Sequence, residues 1–294
     1  MPKNYFDLPE KLSRYETAKV AVLPAPFDRT TSYIKGTGAG PEAILEASAQ
    51  VELYDEELDI ESCEAGIASL APLKFEPGPI EKELAKIELA TRRIINDGKL
   101  PVVLGGEHTI TPPAVKAVCQ VHPSVTVVQL DAHADLRDEY EGTRWSHACA
   151  MARVLEICPV VEVGIRNLSK PEADRVSNGK LPVFFAHKIR QDKNWIDNVV
   201  NAVKTDDVYV SVDVDVFDSS IMPDTGTPEP GGLDWYEVTS LIRTLAQKKN
   251  IVAFDFVELL PQKGHHASDF MVAKLIYKCI GYWVYSRSKV KGER

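Results

Sequence analysis

The sequence predicts an α/β domain, a mostly parallel sheet covered by helices on both faces. Three observations predict it. Short runs that are apolar at consecutive positions recur along the chain, as expected of strands buried on both sides. Segments with helical spacing of apolar residues separate those runs. No internal repeat, low-complexity tract or Gly/Ser-rich linker interrupts them, so residues 1–294 read as a single domain.

Residues 18–23 (AKVAVL) form the first expected strand. Gly40 and Pro41 open a helix to about residue 49, with proline near its first position. Ile80, Leu84, Ile87 and Ile94 line one face of a long amphipathic helix that Gly98 closes. Residues 100–104 (LPVVL) read as a buried strand and 112–121 as a helix. Residues 125–130 (VTVVQL) are a strand, followed by an irregular stretch and a helix near 147–156. Short strands are expected at 160–164 and 182–185, and 208–212 (VYVSV) has strong strand character. Val238, Leu241, Ile242 and Leu245 mark another amphipathic helix. Residues 251–256 (IVAFDF) are the last strand and 268–286 the last helix. The stretch 227–233 (TPEPGGL) is too short for a linker and reads as a functional loop.

A chain 44% hydrophobic and 26% charged has enough apolar material for a sizeable core. Its formal net charge of −9 argues against nucleic acid as a partner, because phosphate binding relies on a basic face. Cys63, Cys119, Cys149, Cys158 and Cys279 are scattered, without CxxC spacing, so reduced thiols and a cytoplasmic setting are expected. The first sixteen residues contain no apolar run, and neither a signal peptide nor a membrane segment is expected.

Ligands of α/β sheets bind at the carboxyl ends of strands. Four strand ends here carry acids or histidine: Glu107 and His108, then Asp131, His133 and Asp135, then Asp213 and Asp215, then Glu258. Clustered carboxylates repel, so four such ends imply a shared ligand. Alternate residues of an extended segment point the same way, so Asp131, His133 and Asp135 are expected to face one point, and Asp213 and Asp215 likewise. Four carboxylates and two imidazoles fit two divalent cations. The oxygen-rich set favours Mn²⁺ over a structural zinc, and such a pair generates hydroxide from water at neutral pH.

GGEHTI at 105–110, DAHADLRD at 131–138, SHACAMARV at 146–154, SVDVDVFDSS at 211–220, TGTPEPGGL at 225–233 and DFVELLP at 255–261 together resemble the signature blocks of the ureohydrolases, in family order. That family includes arginase, agmatinase and guanidinobutyrase. The segment 27–48 also resembles an agmatinase block, so the resemblance spans roughly residues 20–285. Glu107 stands where many members have aspartate, and no proline follows the aspartate block after Asp215. The resemblance implies a three-layer α/β/α sandwich around a mostly parallel eight-stranded sheet. It implies two Mn²⁺ per subunit and hydrolysis of a guanidino group to urea and an amine. By that resemblance His108, Asp131, Asp135 and Asp213 hold one metal, and Asp131, His133, Asp213 and Asp215 the other. His147 matches the proton shuttle, Glu258 the carboxylate that grips the guanidinium, and Asp135 orients the attacking hydroxide. A homotrimer or hexamer is also implied.

Arginine readers of the family carry an SGN-like stretch before the shuttle histidine, whereas this chain has Gly142, Thr143, Arg144, Trp145 and Ser146. An acidic, aromatic rim of Asp138, Glu139, Glu141 and Trp145 suits a distal ammonium, with Glu139 and Trp145 as substrate contacts. Agmatine, giving putrescine and urea in polyamine biosynthesis, is therefore the expected substrate. Arginine, guanidinobutyrate and aminopropylagmatine are alternatives, and Arg144 could bind a carboxylate. A non-catalytic metal-binding regulator on the same fold is the alternative from another class. A zinc deacetylase of related fold is disfavoured because the single His-His pair, His265 and His266, lies in a late loop.

Overall fold

Every residue of four strands is buried along its whole length, which only a sheet covered on both faces allows. The computed structural model describes residues 4–292. Its main strands are β1 (Val20–Ala25), β2 (Ile67–Ser69), β3 (Leu100–Gly105), β4 (Val125–Leu130), β5 (Val160–Ile165), β6 (Val183–Phe185), β7 (Asp207–Asp213) and β8 (Asn250–Val257). They form one eight-stranded sheet in the order β2-β1-β3-β8-β7-β4-β5-β6, and each pairing is parallel.

The main helices are α1 (Gly40–Ser48), α2 (Ile80–Asn96), α3 (Thr111–Cys119), α4 (Ala150–Val154), α5 (Lys170–Gly179), α6 (Trp195–Ala202), α7 (Trp235–Lys248) and α8 (Ala267–Gly292). The two-residue period of a strand divides each one between two cores. Val20, Val22, Val102, Leu104, Val208, Val210 and Val212 join α1, α6, α7 and α8 in one cluster. Ala21, Leu23, Val103, Val127 and Tyr209 join α2, α3 and α4 in the other. The result is the three-layer α/β/α arrangement. No helix among the described residues is long and apolar enough to cross a membrane.

Three elements escape the periodicity of the sequence. β2 has only three residues, so the residues alone indicate seven strands and the eighth came from the resemblance. In α5 only Glu172 is buried, and its signal is a capping box of Ser169 and Glu172. α6 is a short helix of eight residues on Trp195, Val199 and Val200.

The strand order matters most for function. β3, β8, β7 and β4 are consecutive at the middle of the sheet. Their carboxyl ends therefore lie side by side, and these are the four ends that carry the acids and histidines.

Candidate metal centre and active site

His108 leaves the end of β3 in a single 3-10 turn, and its imidazole is fully buried. Nδ1 lies 3.1 Å from Asp131 Oδ2, 3.1 Å from Asp135 Oδ2 and 3.5 Å from Asp213 Oδ2. Nε2 lies 3.0 Å from Ser211 Oγ. Ser211 donates to Asp255 Oδ1 at 2.7 Å, while Thr111 and Tyr209 donate to Asp255 Oδ2. Because the Ser211 proton goes to Asp255, Ser211 accepts from Nε2–H of His108. The Nδ1 lone pair of a neutral ring then faces three carboxylates, and Nδ1 makes no hydrogen bond. Such a buried arrangement is repulsive unless a proton or a metal cation lies between the groups. Burial opposes a proton on His108, but Asp131, Asp135 and Asp213 outweigh it and raise its pKa well above the ordinary value.

His133 repeats the pattern. Its Nδ1 is 2.9 Å from Asp215 Oδ2 and 3.7 Å from Asp131 Oδ1. Burial resists its protonation, yet the charge of Asp215 and the bond to Asp131 push it up to about 12. Asp131 thus turns one oxygen to each histidine. Two sets of candidate ligand atoms fall within 4.8 Å, His108 with Asp131 and Asp213, and Asp131 with His133 and Asp215. The donors are nitrogen and carboxylate oxygen, a set that fits divalent manganese.

The convergence does not arise from extended alternation, and that expectation is corrected. Asp135 has left-handed backbone, φ +51. His133 N donates to Asp131 Oδ1 at 2.6 Å, and Asp215 N donates to Asp213 Oδ1 at 2.9 Å within a 3-10 turn. Each D-x-[HD] pair is a turn in which the aspartate accepts from the amide two residues on, and this folds the chain back on itself.

Glu258 ends β8 with φ +65, a left-handed conformation that is strained for glutamate. Its N–H donates to Gly106 O at 2.7 Å and its Oε1 accepts from His108 N at 2.8 Å. Burial first, then Glu107, raises its pKa well above the carboxylate range. Gly106 is required here, because a Cβ would lie 2.1 Å from Phe27 O. That approach brings in the segment after Phe27. Buried Glu107 accepts from Arg29 N, Thr30 N and Thr30 Oγ1. Thr30 Oγ1 in turn accepts from His147 N at 3.1 Å, and Ser32 Oγ lies 3.1 Å from His147 Nε2. Burial first, with the nearby His108 and His133 adding to it, lowers the His147 pKa to about 4 against a hydrogen bond to the Thr30 backbone.

His147, Glu258, His133, Asp135, Asp213 and Asp215 all line one cavity of about 140 Å³. The expected distal contacts do not join them. Trp145 turns away: its indole N–H donates to Glu81 Oε1, and it lines a separate surface cavity. Glu139 is exposed and outside the cavity lining. Asp138 pairs with Arg175 and Arg153, and Arg144 pairs with Glu156. The loop folds outward because these charges find partners on its own side. Tyr140, Arg137, Asn167 and Thr227 line the cavity instead. Cys149 is buried, and burial raises its thiol to about 11, which disfavours the thiolate at neutral pH. His265 and His266 are exposed and lie outside the cavity.

Thr30, Ser32, Ser211 and Asp255 were missed in the sequence. Asp255 alone left a signal, an acid inside an otherwise apolar strand.

A model of the arginase family matches residues 18–281. The chain is 41% identical over 98% of its length, and 96% of the relative's, to the N(1)-aminopropylagmatine ureohydrolase of Synechocystis. It is 36% identical to the agmatinase of Pyrococcus horikoshii, covering 94% of this chain and 96% of that one. The crystal structure of agmatine ureohydrolase of Thermoplasma volcanium superposes with a TM-score of 0.88 at 32% identity, over 98% and 97% of the two chains. On sequence and fold together, the chain belongs to the arginase family, hydrolases that act on guanidino groups.

Proposed function

We propose that this enzyme uses two Mn²⁺ ions, held by His108, Asp131, His133, Asp135, Asp213 and Asp215, to hydrolyse a guanidino amine lacking a carboxylate to urea and an amine. The observation that carries this reading is the unpartnered Nδ1 of His108, aimed at three carboxylates. When bound, the metals would lower the pKa of a water and polarise it for attack.

The chain's own residues would do the rest. Glu258 has an oxygen uncommitted to protein donors beside the cavity and accepts hydrogen bonds from the guanidinium. Asp135, its carboxyl raised to about 6 mainly by burial, orients the attacking water and can hold its proton. His147, neutral at rest, relays a proton from solvent to the leaving nitrogen while the proton of the attacking water leaves through Asp135, so that an amine departs and not an amide anion. Ser32 Oγ holds the imidazole for that transfer, and Thr30 Oγ1 holds the backbone N–H of His147.

Carboxylates crowd the cavity, and arginine's own carboxylate would meet repulsion there. Arg137 also lines it, but its guanidinium lies over the Tyr140 ring and 3.8 Å from Glu172. Agmatine, cleaved to putrescine, fits this setting. The longer N(1)-aminopropylagmatine is a second reading, supported by the name of the 41% identical relative. Free thiols suit a cytoplasmic enzyme, and a trimer or hexamer is the assembly implied by the family resemblance.

The test is urea release with Mn²⁺ from agmatine, N(1)-aminopropylagmatine, arginine and guanidinobutyrate. One of the first two should exceed arginine by about 10²-fold in kcat/KM. Arginine or guanidinobutyrate leading would overturn the substrate reading. Asp131→Ala should bind no stoichiometric metal pair and lack turnover; two tightly bound Mn²⁺ in that variant would overturn the ligand set.

A further inference from the structure

Glu162 is a buried acid that the reaction leaves unused. It lies in β5 with no exposed surface, and neither carboxyl oxygen meets a hydrogen-bond donor. An uncompensated carboxylate in a core is strongly unfavourable. Arg175, the cation whose charge reaches it, is committed to Leu136 O and Asp138.

Its neighbour has the complementary deficit. β4 and β5 pair with Gln129 opposite Glu162, so both side chains leave the sheet on the same face. The Gln129 amide nitrogen donates to Asp131 Oδ2 at 2.7 Å and to His133 O at 3.2 Å. Gln129 Oε1 is buried and receives nothing. Flipping the amide would set Oε1 against two acceptors, so its orientation is determined. A proton on Glu162 satisfies both residues, because a carboxylic acid can donate to an amide oxygen and a carboxylate cannot.

We propose that Glu162 is a positioning residue, carried as the neutral acid, which donates to Gln129 Oε1 and so locks the amide that aims Asp131. The positioning half rests on Asp131 being a metal ligand, as proposed above. Burial first, then the charges of Asp131, Asp135 and Glu172, favours the protonated form. Asp131 Oδ2, the oxygen the amide holds, is also the oxygen facing His108, so the lock fixes the plane of the carboxylate shared between the two histidines.

The infrared difference spectrum of manganese-loaded wild type minus Glu162→Gln should contain the C=O stretch of a protonated carboxyl at pH 8. Its absence overturns the proposal, whatever Asp131 binds. Manganese titration then reads the positioning. Glu162→Gln keeps a neutral donor and should retain wild-type affinity. Glu162→Met and Gln129→Met should each lose about 10–100-fold. The double variant should be no weaker than Gln129→Met alone, because the two act through one contact. Glu162→Gln as weak as Glu162→Met, or Glu162→Met with unchanged affinity, overturns the positioning role. If Asp131→Ala retains two Mn²⁺, the ligand assignment fails while the carboxyl band still reports the Glu162 proton.

Discussion

His147 is held neutral by its surroundings, and that has consequences for both turnover and stability. Burial, its largest cause, lowers its pKa from 6.5 to about 4. The unfolded chain takes up a proton below pH 6.5 that the folded site resists until about pH 4. Stability from this residue is therefore present above 6.5 and lost as pH falls toward 4. Urea denaturation between pH 7 and 4 should show a steeper loss in wild type than in His147→Gln; parallel profiles would contradict the placement. His147→Ala should lower kcat by on the order of 10²–10⁴ with manganese content unchanged. Near-normal turnover would remove its proton-transfer role.

At the scale of elements, the active site depends on a contact between two loops. Gly106 and Glu107 after β3 hold the segment from Phe27 to Ser32, and that segment holds His147. Gly106→Ala places a Cβ 2.1 Å from a backbone oxygen, so the segment must move. Turnover should fall sharply even at temperatures where circular dichroism shows the variant folded. Asp234→Ala is the contrast. Asp234 caps α7 through a reciprocal box with Glu237, away from the cavity. Its loss should destabilise by about 0.5–2 kcal/mol and lower Tm by roughly 2–4 °C per kcal/mol, with kcat unchanged. Equal activity losses in the two variants would show that the loop contact has no special role.

Across the whole molecule, acidic side chains concentrate at the centre of the sheet, where a bound proton or metal cation offsets their repulsion. Burial and mutual repulsion, led by Asp215, raise Asp213 well above the carboxylate range, so its charged form is disfavoured in the protein alone. Metal binding to the folded chain should therefore stabilise it, by about 2.7 kcal/mol when free Mn²⁺ is a hundred times its Kd. A chelator should lower Tm, graded Mn²⁺ should restore it, and Asp131→Ala should respond to neither. Coincident melts of chelated and loaded wild type would argue against a metal site that is part of the fold.

The sequence by itself determined the class of the fold and which acids and histidines gather at its centre. A strand buried on both faces is apolar at most positions, so LPVVL, VTVVQL and VYVSV were legible as such. Acids and histidines at the ends of such strands stood out against that background. Elements with little apolar periodicity, β2 and α5, left no comparable pattern; one is three residues long and the other is mostly solvated. Tertiary structure alone decided that β3, β8, β7 and β4 are neighbours, because strand order depends on crossovers between distant segments. It also decided that Asp131 and Asp213 turn the chain back on itself, that Ser211 and Asp255 fix the ring of His108, and that Ser32 meets His147 across 115 residues. Trp145 shows the same limit from the other side. Its place two residues before His147 suggested the cavity, but Glu81 on α2 accepts its indole N–H and holds it outside. Sequence spacing carries local geometry, whereas the direction a loop side chain takes depends on which partners the rest of the fold brings within hydrogen-bond reach.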